Sequence, residues 1–356
     1  MRVLSSAFFL ACSWFWCIGG FFPVLLEAEF GQIAFAVFVV LNVTGATLFG
    51  FVMDHQKRAR FLGRFASLAQ AFSGVVVVYH FAFITWISTL IGSSLPLIGF
   101  VVLTCAFYAV RRHLIGMSIV VFAATLVLFA IAIEYPAQIL PPPLVSDGFI
   151  HSVLPLAFGF LLAPYFDLTF HRAYANSPYP RLSFVIGIGG LFAVLMAGMF
   201  FATPILSGLL VGQGGAALAI LVGLLVLQTA FTTAAHLREL KGSLWAEARL
   251  RLPLGGFIFL IYALHVAVAF VAPEFTVAFG DLIYRSFLFL IGAVFPVFLV
   301  FGGINRRALV ACGFLAPCYT LGFLIGGVYA PFLSVGIVGL AILIILRPAP
   351  VLNPSR

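Results

Sequence analysis

Residues 3–26 read VLSSAFFLACSWFWCIGGFFPVLL. The run holds no Asp, Glu, Lys or Arg, and a helix needs roughly 20 apolar residues to cross the hydrocarbon layer of a bilayer. It is too long for the apolar region of a signal peptide and lacks a small-residue cleavage site. It therefore predicts a first membrane span. Inside it, Cys17-Ile18-Gly19-Gly20-Phe21-Phe22-Pro23 weakens the helix twice over. Glycine loses more backbone entropy on ordering, and proline has no N–H to donate. At membrane depth, freed peptide groups survive where a cavity, ion or ligand satisfies them. Two readings stand: a helix broken at a binding site, or a packing notch followed by a helix end near the outer face.

The rest of the chain agrees with the first span. Of 356 residues, 64% are hydrophobic and 8% charged, against roughly 45–50% and about 25% in soluble domains. No soluble fold of this size hides so many apolar side chains. A soluble enzyme, a DNA-binding module, a disordered chain and a disulfide scaffold are excluded, and so is a β-barrel, whose strands alternate apolar and polar residues. The class is all-α: a polytopic membrane protein forming one transmembrane domain over 1–356. About twelve spans are expected, near 3–26, 32–53, 65–91, 94–110, 114–133, 150–170, 182–204, 206–235, 252–272, 282–302, 308–330 and 332–346.

Charge placement tests that count, because Lys and Arg collect in cytoplasmic loops. With the N-terminus inside, the even-numbered loops carry Lys57, Arg58, Arg60 and Arg64; Arg111 and Arg112; Arg172 and Arg181; Arg238, Lys241, Arg249 and Arg251; and Arg306 and Arg307. Arg2, Arg347 and Arg356 fall on the same side. Glu27, Glu29, Glu134, Asp147, Glu274 and Asp281 fall on the other. Of the 18 basic residues only Arg285 departs, just inside the tenth span. The expected location is the cytoplasmic (inner) membrane with both termini cytoplasmic. The net charge of +8 is then a topology signal and not a nucleic-acid footprint. Cys12, Cys17, Cys105, Cys312 and Cys318 sit in apolar runs without a Cys-x-x-Cys pair, so no zinc site or disulfide is expected.

Polar groups at membrane depth are the functional candidates. The sixth span repeats the glycine-then-proline pattern at Gly159 and Pro164, followed by Tyr165, Asp167, Thr169 and His171. Asp167 and His171 are spaced i,i+4 and share a helix face. They form either a gating cluster or a helix end at which Asp167 pairs with Arg172 or Arg181. Tyr79 and His80 lie mid-way along the third span, and His265 lies in the ninth. Two such histidines are proton carriers, core residues or haem ligands. Thr232 and Thr233 end the eighth span, where hydroxyls either ligate an alkali cation or bond back to their own helix. Phosphate-binding loops, nucleophile motifs and His-Glu-x-x-His are missing from the sequence. No enzyme activity is expected, and ATP-driven transport would need another subunit.

From Ile18 to Asp54 the chain resembles the opening of neurotransmitter:sodium symporters, which have the LeuT fold. The matching residues are Gly19, Gly20, Phe22, Pro23, Val24, Glu29, Gly31, Ala34, Phe35 and Gly45; Phe21 stands where that family has Arg. The resemblance implies a 5+5 inverted repeat, 1–133 and 150–302, with 308–346 as two extra helices. It implies that Gly159 to Pro164 break span six in the opposite sense, and that Thr232 and Thr233 help hold sodium. A rival resemblance is to the major facilitator 6+6 arrangement. Gly50, Asp54 and Arg58 fit its loop motif, and an offset of 181 residues aligns Pro23 with Pro204 and His55 with His236.

The expectation is a secondary active transporter moving a small organic solute by alternating access. Gly19, Gly20, Phe21, Phe22, Tyr79, His80, Gly159, Pro164 and Tyr165 would bind solute. Thr232, Thr233, Asp167 and His171 would bind the ion or form a gate. Sodium or a proton would be the coupling ion, with no resident cofactor. The partners are solute and membrane lipid, not nucleic acid, and the oligomeric state stays open. Two alternatives remain: a non-transporting scaffold, assembly factor or sensor, and a haem protein using His80 and His265.

Overall fold

A computed structural model describes residues 1–135, 144, 148–240, 248–325 and 329–346, without the side chains of Cys17 and of residues 248–254. Asp147, Lys241, Arg347 and Arg356 lie outside the described residues, as do the side chains of Arg249 and Arg251. Every regular element among the described residues is helical. Among the described residues, eight helices are long and apolar enough to cross a membrane, and four shorter apolar ones accompany them. The chain is an α-helical membrane protein.

In chain order the helices are α1 (Arg2–Trp14), α2 (Phe22–Phe30), α3 (Gln32–Val52), α4 (His55–Leu90), α5 (Leu95–Ala109), α6 (Leu114–Ile133), α7 (Phe149–Leu162), α8 (Leu168–Asn176), α9 (Pro180–Phe184), α10 (Ala193–Leu206), α11 (Ala216–Glu239), α12 (Ala248–Val271), α13 (Thr276–Phe289), α14 (Phe295–Val300), α15 (Arg306–Tyr319) and α16 (Pro331–Ile345). Wider π-helical turns join α9 to α10 at Val185–Phe192 and α13 to α14 at Leu290–Val294, and extend α15 over Thr320–Leu324.

Two expected boundaries move furthest. The third span begins at His55 and not near 65, because Asp54 caps it by accepting the Lys57 N–H at 2.7 Å. A basic, exposed first stretch precedes the kink at Phe65 (φ −116°, ψ 16°). The eighth span begins at Ala216 and not at 206. Gly212 (φ 71°) and Gly215 (φ 142°) form the preceding turn in a region that side chains with a Cβ avoid.

The most buried of the long helices are α4 and α11, which pack against each other. Around them, α11 contacts α5 and α6, while α4 contacts α12 and α13. The first helix, α1, lies on Val185–Phe192 and on α6, while α7 lies on α3 and on Leu290–Val294. Glycines permit these approaches. A Cβ on Gly45 would stand 2.0 Å from the Phe160 carbonyl oxygen, and one on Gly187 would stand 2.6 Å from that of Ala7.

Candidate functional site

Both helices expected to be discontinuous are interrupted. After α1, the chain runs through a π turn over Phe15–Gly19, in which Trp16 leaves helical geometry (φ −17°, ψ −145°). Phe21 (φ −137°, ψ −29°) then precedes α2, with Pro23 in its first turn. After α7, Pro164 lies in a short 3-10 turn, Ala163–Phe166, and Asp167 is extended (ψ 107°) before α8.

The breaks touch. Asp167 Oδ1 accepts the Thr169 N–H at 2.7 Å, capping α8, and lies 2.7 Å from the Thr169 hydroxyl. That hydroxyl is also 3.2 Å from Ser13 Oγ, just before the first break. The remaining oxygen, Asp167 Oδ2, is buried without a hydrogen-bond partner. Also just before the first break, the Cys12 carbonyl accepts the hydroxyl of Thr232 of α11 at 3.1 Å. Cys12 lies four residues before the non-helical Trp16, the position whose helical acceptor role the break disturbs.

A polar seam continues behind α1. The Thr233 hydroxyl donates to the Thr229 carbonyl at 2.7 Å. Its oxygen therefore accepts from His80 Nδ1–H, also at 2.7 Å. This fixes the His80 tautomer and leaves Nε2 a bare acceptor, fully buried and without a partner. The His80 ring lies 4.5 Å from that of Trp16 and 6.4 Å from that of His236. His236 bonds Ser73 through Nδ1 at 3.1 Å, and its Nε2 is likewise unpartnered. The seam thus holds two neutral-capable imidazoles on α4 and α11, each with one nitrogen uncommitted.

In front of α1 lies an apolar cavity of about 60 Å³. Phe22, Gly159, Phe160, Gly292, Tyr319 and Phe323 are among its walls. Irregular backbone converges there: Ile18, Gly292 and Phe323 each belong to a different π-helical stretch, and such turns concentrate at functional sites. Tyr319 Oη is buried and unpartnered, which gives an otherwise apolar wall one free polar group.

Among the residues expected to bind solute, Phe22 and Gly159 line this cavity. Gly19 and Gly20 are in the first break, where a Cβ on Gly20 would meet the Leu225 side chain at 2.7 Å. Phe21 turns away into a cluster with Phe83, Trp86 and Tyr284. Tyr79 bonds Ser286 at 3.1 Å, and Tyr165 lies against Phe49. His80 belongs to the seam with Thr233, and Pro164 to the second break. The expected pairing of Asp167 with His171 or Arg172 is replaced. His171 Nε2 donates to the Tyr165 carbonyl at 2.9 Å, and Arg172 pairs with Glu239 through two hydrogen bonds. A proline-made break forces this, because the turn at Asp167 aims its carboxylate at the α8 N-terminus and away from the helix face. His265 bonds its own helix at Ile261 and rings against Phe279, whereas the ring neighbours of His80 are Trp16 and His236.

Arg285, the charge exception, holds Glu29 at 2.6 Å and Asp281 at 2.8 Å. Its guanidinium lies over the Phe323 ring, 5.1 Å from the centroid. It thereby joins α13 to the end of α2 and to Phe323, one of the cavity walls. Arg172–Glu239 joins α8 to α11 at the basic face.

Several positions of the candidate site escaped the sequence reading: Ser13, His236, Gly292, Tyr319 and Phe323. For His236 the signal was present. It follows Thr229, Thr232 and Thr233 at helical spacing, but falls beyond a span ended at 235. Gly292 repeats the glycine-before-proline pattern with Pro296. Comparison with protein-family models, curated proteins and solved structures finds no match to this chain.

Proposed function

We propose that the chain is a secondary active transporter that moves a small solute across the cytoplasmic membrane by alternating access. The observation that carries this reading is the meeting of two interrupted helices, tied by Ser13, Thr169 and Asp167 beside an apolar cavity. Discontinuous helices meeting at mid-membrane are how many carriers present freed backbone to cargo. Twelve crossings are proposed, with both termini cytoplasmic. The four shorter apolar helices then complete the count begun by the eight long ones, the first of them through α1 and α2 together.

Recurrent packing supports a LeuT-like 5+5 arrangement over a 6+6 one. Taking α1/α2 to α6 as one set and α7/α8 to α14 as the other, corresponding helices make corresponding contacts. The first helix of each set lies on the second helix of the other set, and on the fifth of its own. The third helix of each contacts the fourth and fifth of the other, and the two third helices contact each other. Gly45 and Gly187, each on a second helix, open both cross-set approaches. An offset of five spans reverses orientation in the membrane, so the sets would be inverted.

In this reading Arg285 with Glu29 and Asp281 is the outer gate, and Arg172 with Glu239 the inner one. Both ion pairs are formed, and the cavity lies between them. Its apolar walls and single free phenol select a solute with an apolar or aromatic part and one hydrogen-bonding group. The coupling ion is a proton, taken up at the uncommitted nitrogens of His80 and His236. Thr232 relays the state of α11 to the broken backbone of α1.

Uptake into sealed proteoliposomes tests this. A panel of small aromatic and branched-chain solutes is offered with an imposed pH gradient, a sodium gradient or neither. The account expects one solute class to accumulate under the pH gradient, stopped by a protonophore and by His80→Ala combined with Gly20→Leu. No accumulation under any gradient, or accumulation untouched by that double change, contradicts it.

A further inference from the structure

At the basic face, away from the apolar cavity, a cleft of about 480 Å³ opens between α4, the α5–α6 turn, α8 and the end of α11. Arg58, Arg112, Arg172 and Arg238 all line it. The carboxylate in its wall is Glu239, and Arg172 engages both of its oxygens. Basic residues at this end are what membrane topology demands, but topology asks only for solvated charge. Arg58 Nε and Arg238 Nη1 are shut off from solvent and have no hydrogen-bond partner. A buried guanidinium N–H left unbonded is costly unless something else accepts it. Among the described residues lining this concave site, three positive charges face no second carboxylate, and concavity concentrates potential there.

We propose that this cleft binds a phosphate-type oxyanion, held by Arg58, Arg112 and Arg238. Planar guanidinium forks match phosphate oxygens two at a time. A dianion also balances three charges better than a single carboxylate does. The volume suits a small phosphorylated molecule, since ligand pockets fall in the range of roughly 300–1,000 Å³. An oxyanion here competes with Glu239 for Arg172, so occupancy loosens the ion pair that joins α8 to α11. The same chemical group is carried by a free phosphorylated solute and by the headgroup of an anionic phospholipid.

The test titrates pyrophosphate into the full-length protein in neutral detergent at constant ionic strength, with chloride as control, read by calorimetry. Saturable binding is expected. It should weaken at least about tenfold in the double variant Arg58→Gln, Arg238→Gln and stay unchanged in Arg60→Gln, a position outside the cleft. The Arg58→Lys, Arg238→Lys variant keeps charge but loses the forks, and should bind with intermediate strength. The melting temperature without anion reports whether each variant is folded. A lipid arm uses nanodiscs of phosphatidylcholine with or without phosphatidic acid, followed by native mass spectrometry. Retention of phosphatidic acid by the unaltered protein but not by the double glutamine variant assigns the site to a lipid headgroup. A flat pyrophosphate titration together with no preference for phosphatidic acid overturns the proposal. So does anion binding that is equal in the unaltered protein and the folded double variant.

Discussion

The two helix breaks are built from different residues and closed in different ways. Between α7 and α8 the break is made by Pro164, and the chain closes it locally: Asp167 caps the helix that follows. Between α1 and α2 the break falls at a π turn ending in Gly19 and followed by Gly20, and closure is borrowed, because the hydroxyl reaching the Cys12 carbonyl belongs to Thr232 of α11. A self-capped break holds its shape wherever its neighbours go. A borrowed cap makes the first break sensitive to the position of α11, the helix that also carries Thr233 and His236. In the proposed mechanism the first break is therefore the one through which ion binding would reach the cavity.

Substitutions at the two breaks sharpen or spoil this contrast. The largest effect is expected at Gly159, where an added Cβ would stand 2.9 Å from Gly292 Cα and 3.0 Å from its carbonyl oxygen. Backbone cannot swing aside, so Gly159→Ala should cost about 2–3 kcal/mol, measured by thermal or denaturant unfolding in detergent. Asp167→Ala should follow, losing about 2 kcal/mol with the cap and the buried hydrogen bonds to Thr169, while Asp167→Asn should retain most of that stability. Next comes Thr232→Val, at about 1–2 kcal/mol for a buried carbonyl left without its donor, with Thr232→Ser restoring it. If Thr232→Val is silent, the first break is not held from α11 and the contrast fails. Smallest of all is Gly20→Ala, under about 1 kcal/mol: the atom in its way is the end of a Leu225 side chain, which can rotate.

Much of this was legible in the chain itself, for specific reasons. Apolar runs near 20 residues long, separated by charged or glycine-rich turns, predict helices 32–53 and 114–133 almost to the residue, because membrane thickness fixes their length. Glycine followed by proline correctly announces interruptions at 17–23 and 159–164. What composition hides is geometry that costs no particular residue type. The π turn at 320–324 occurs in ordinary apolar sequence, so the wall supplied by Phe323 could not be assigned, whereas Gly292 carried a signal in Pro296 four residues on. The span ending at 235 excluded His236, because helix α11 continues beyond its apolar stretch and the hydrophobic ruler stops there. Asp167 was placed at the right break but given the wrong partner. Helical spacing pairs it with His171, and the extended backbone at Asp167 removes that spacing.

The central claim, that the two breaks meet, is tested most directly by oxidative cross-linking. Ser13→Cys and Thr169→Cys are introduced into a chain whose 5 native cysteines are replaced by alanine. With the two hydroxyls 3.2 Å apart, a disulfide should form rapidly in native membranes, giving an intramolecular product that reductant reverses. A pair that stays reduced in the folded protein, while Ser13→Cys links readily to a position elsewhere, would contradict the account.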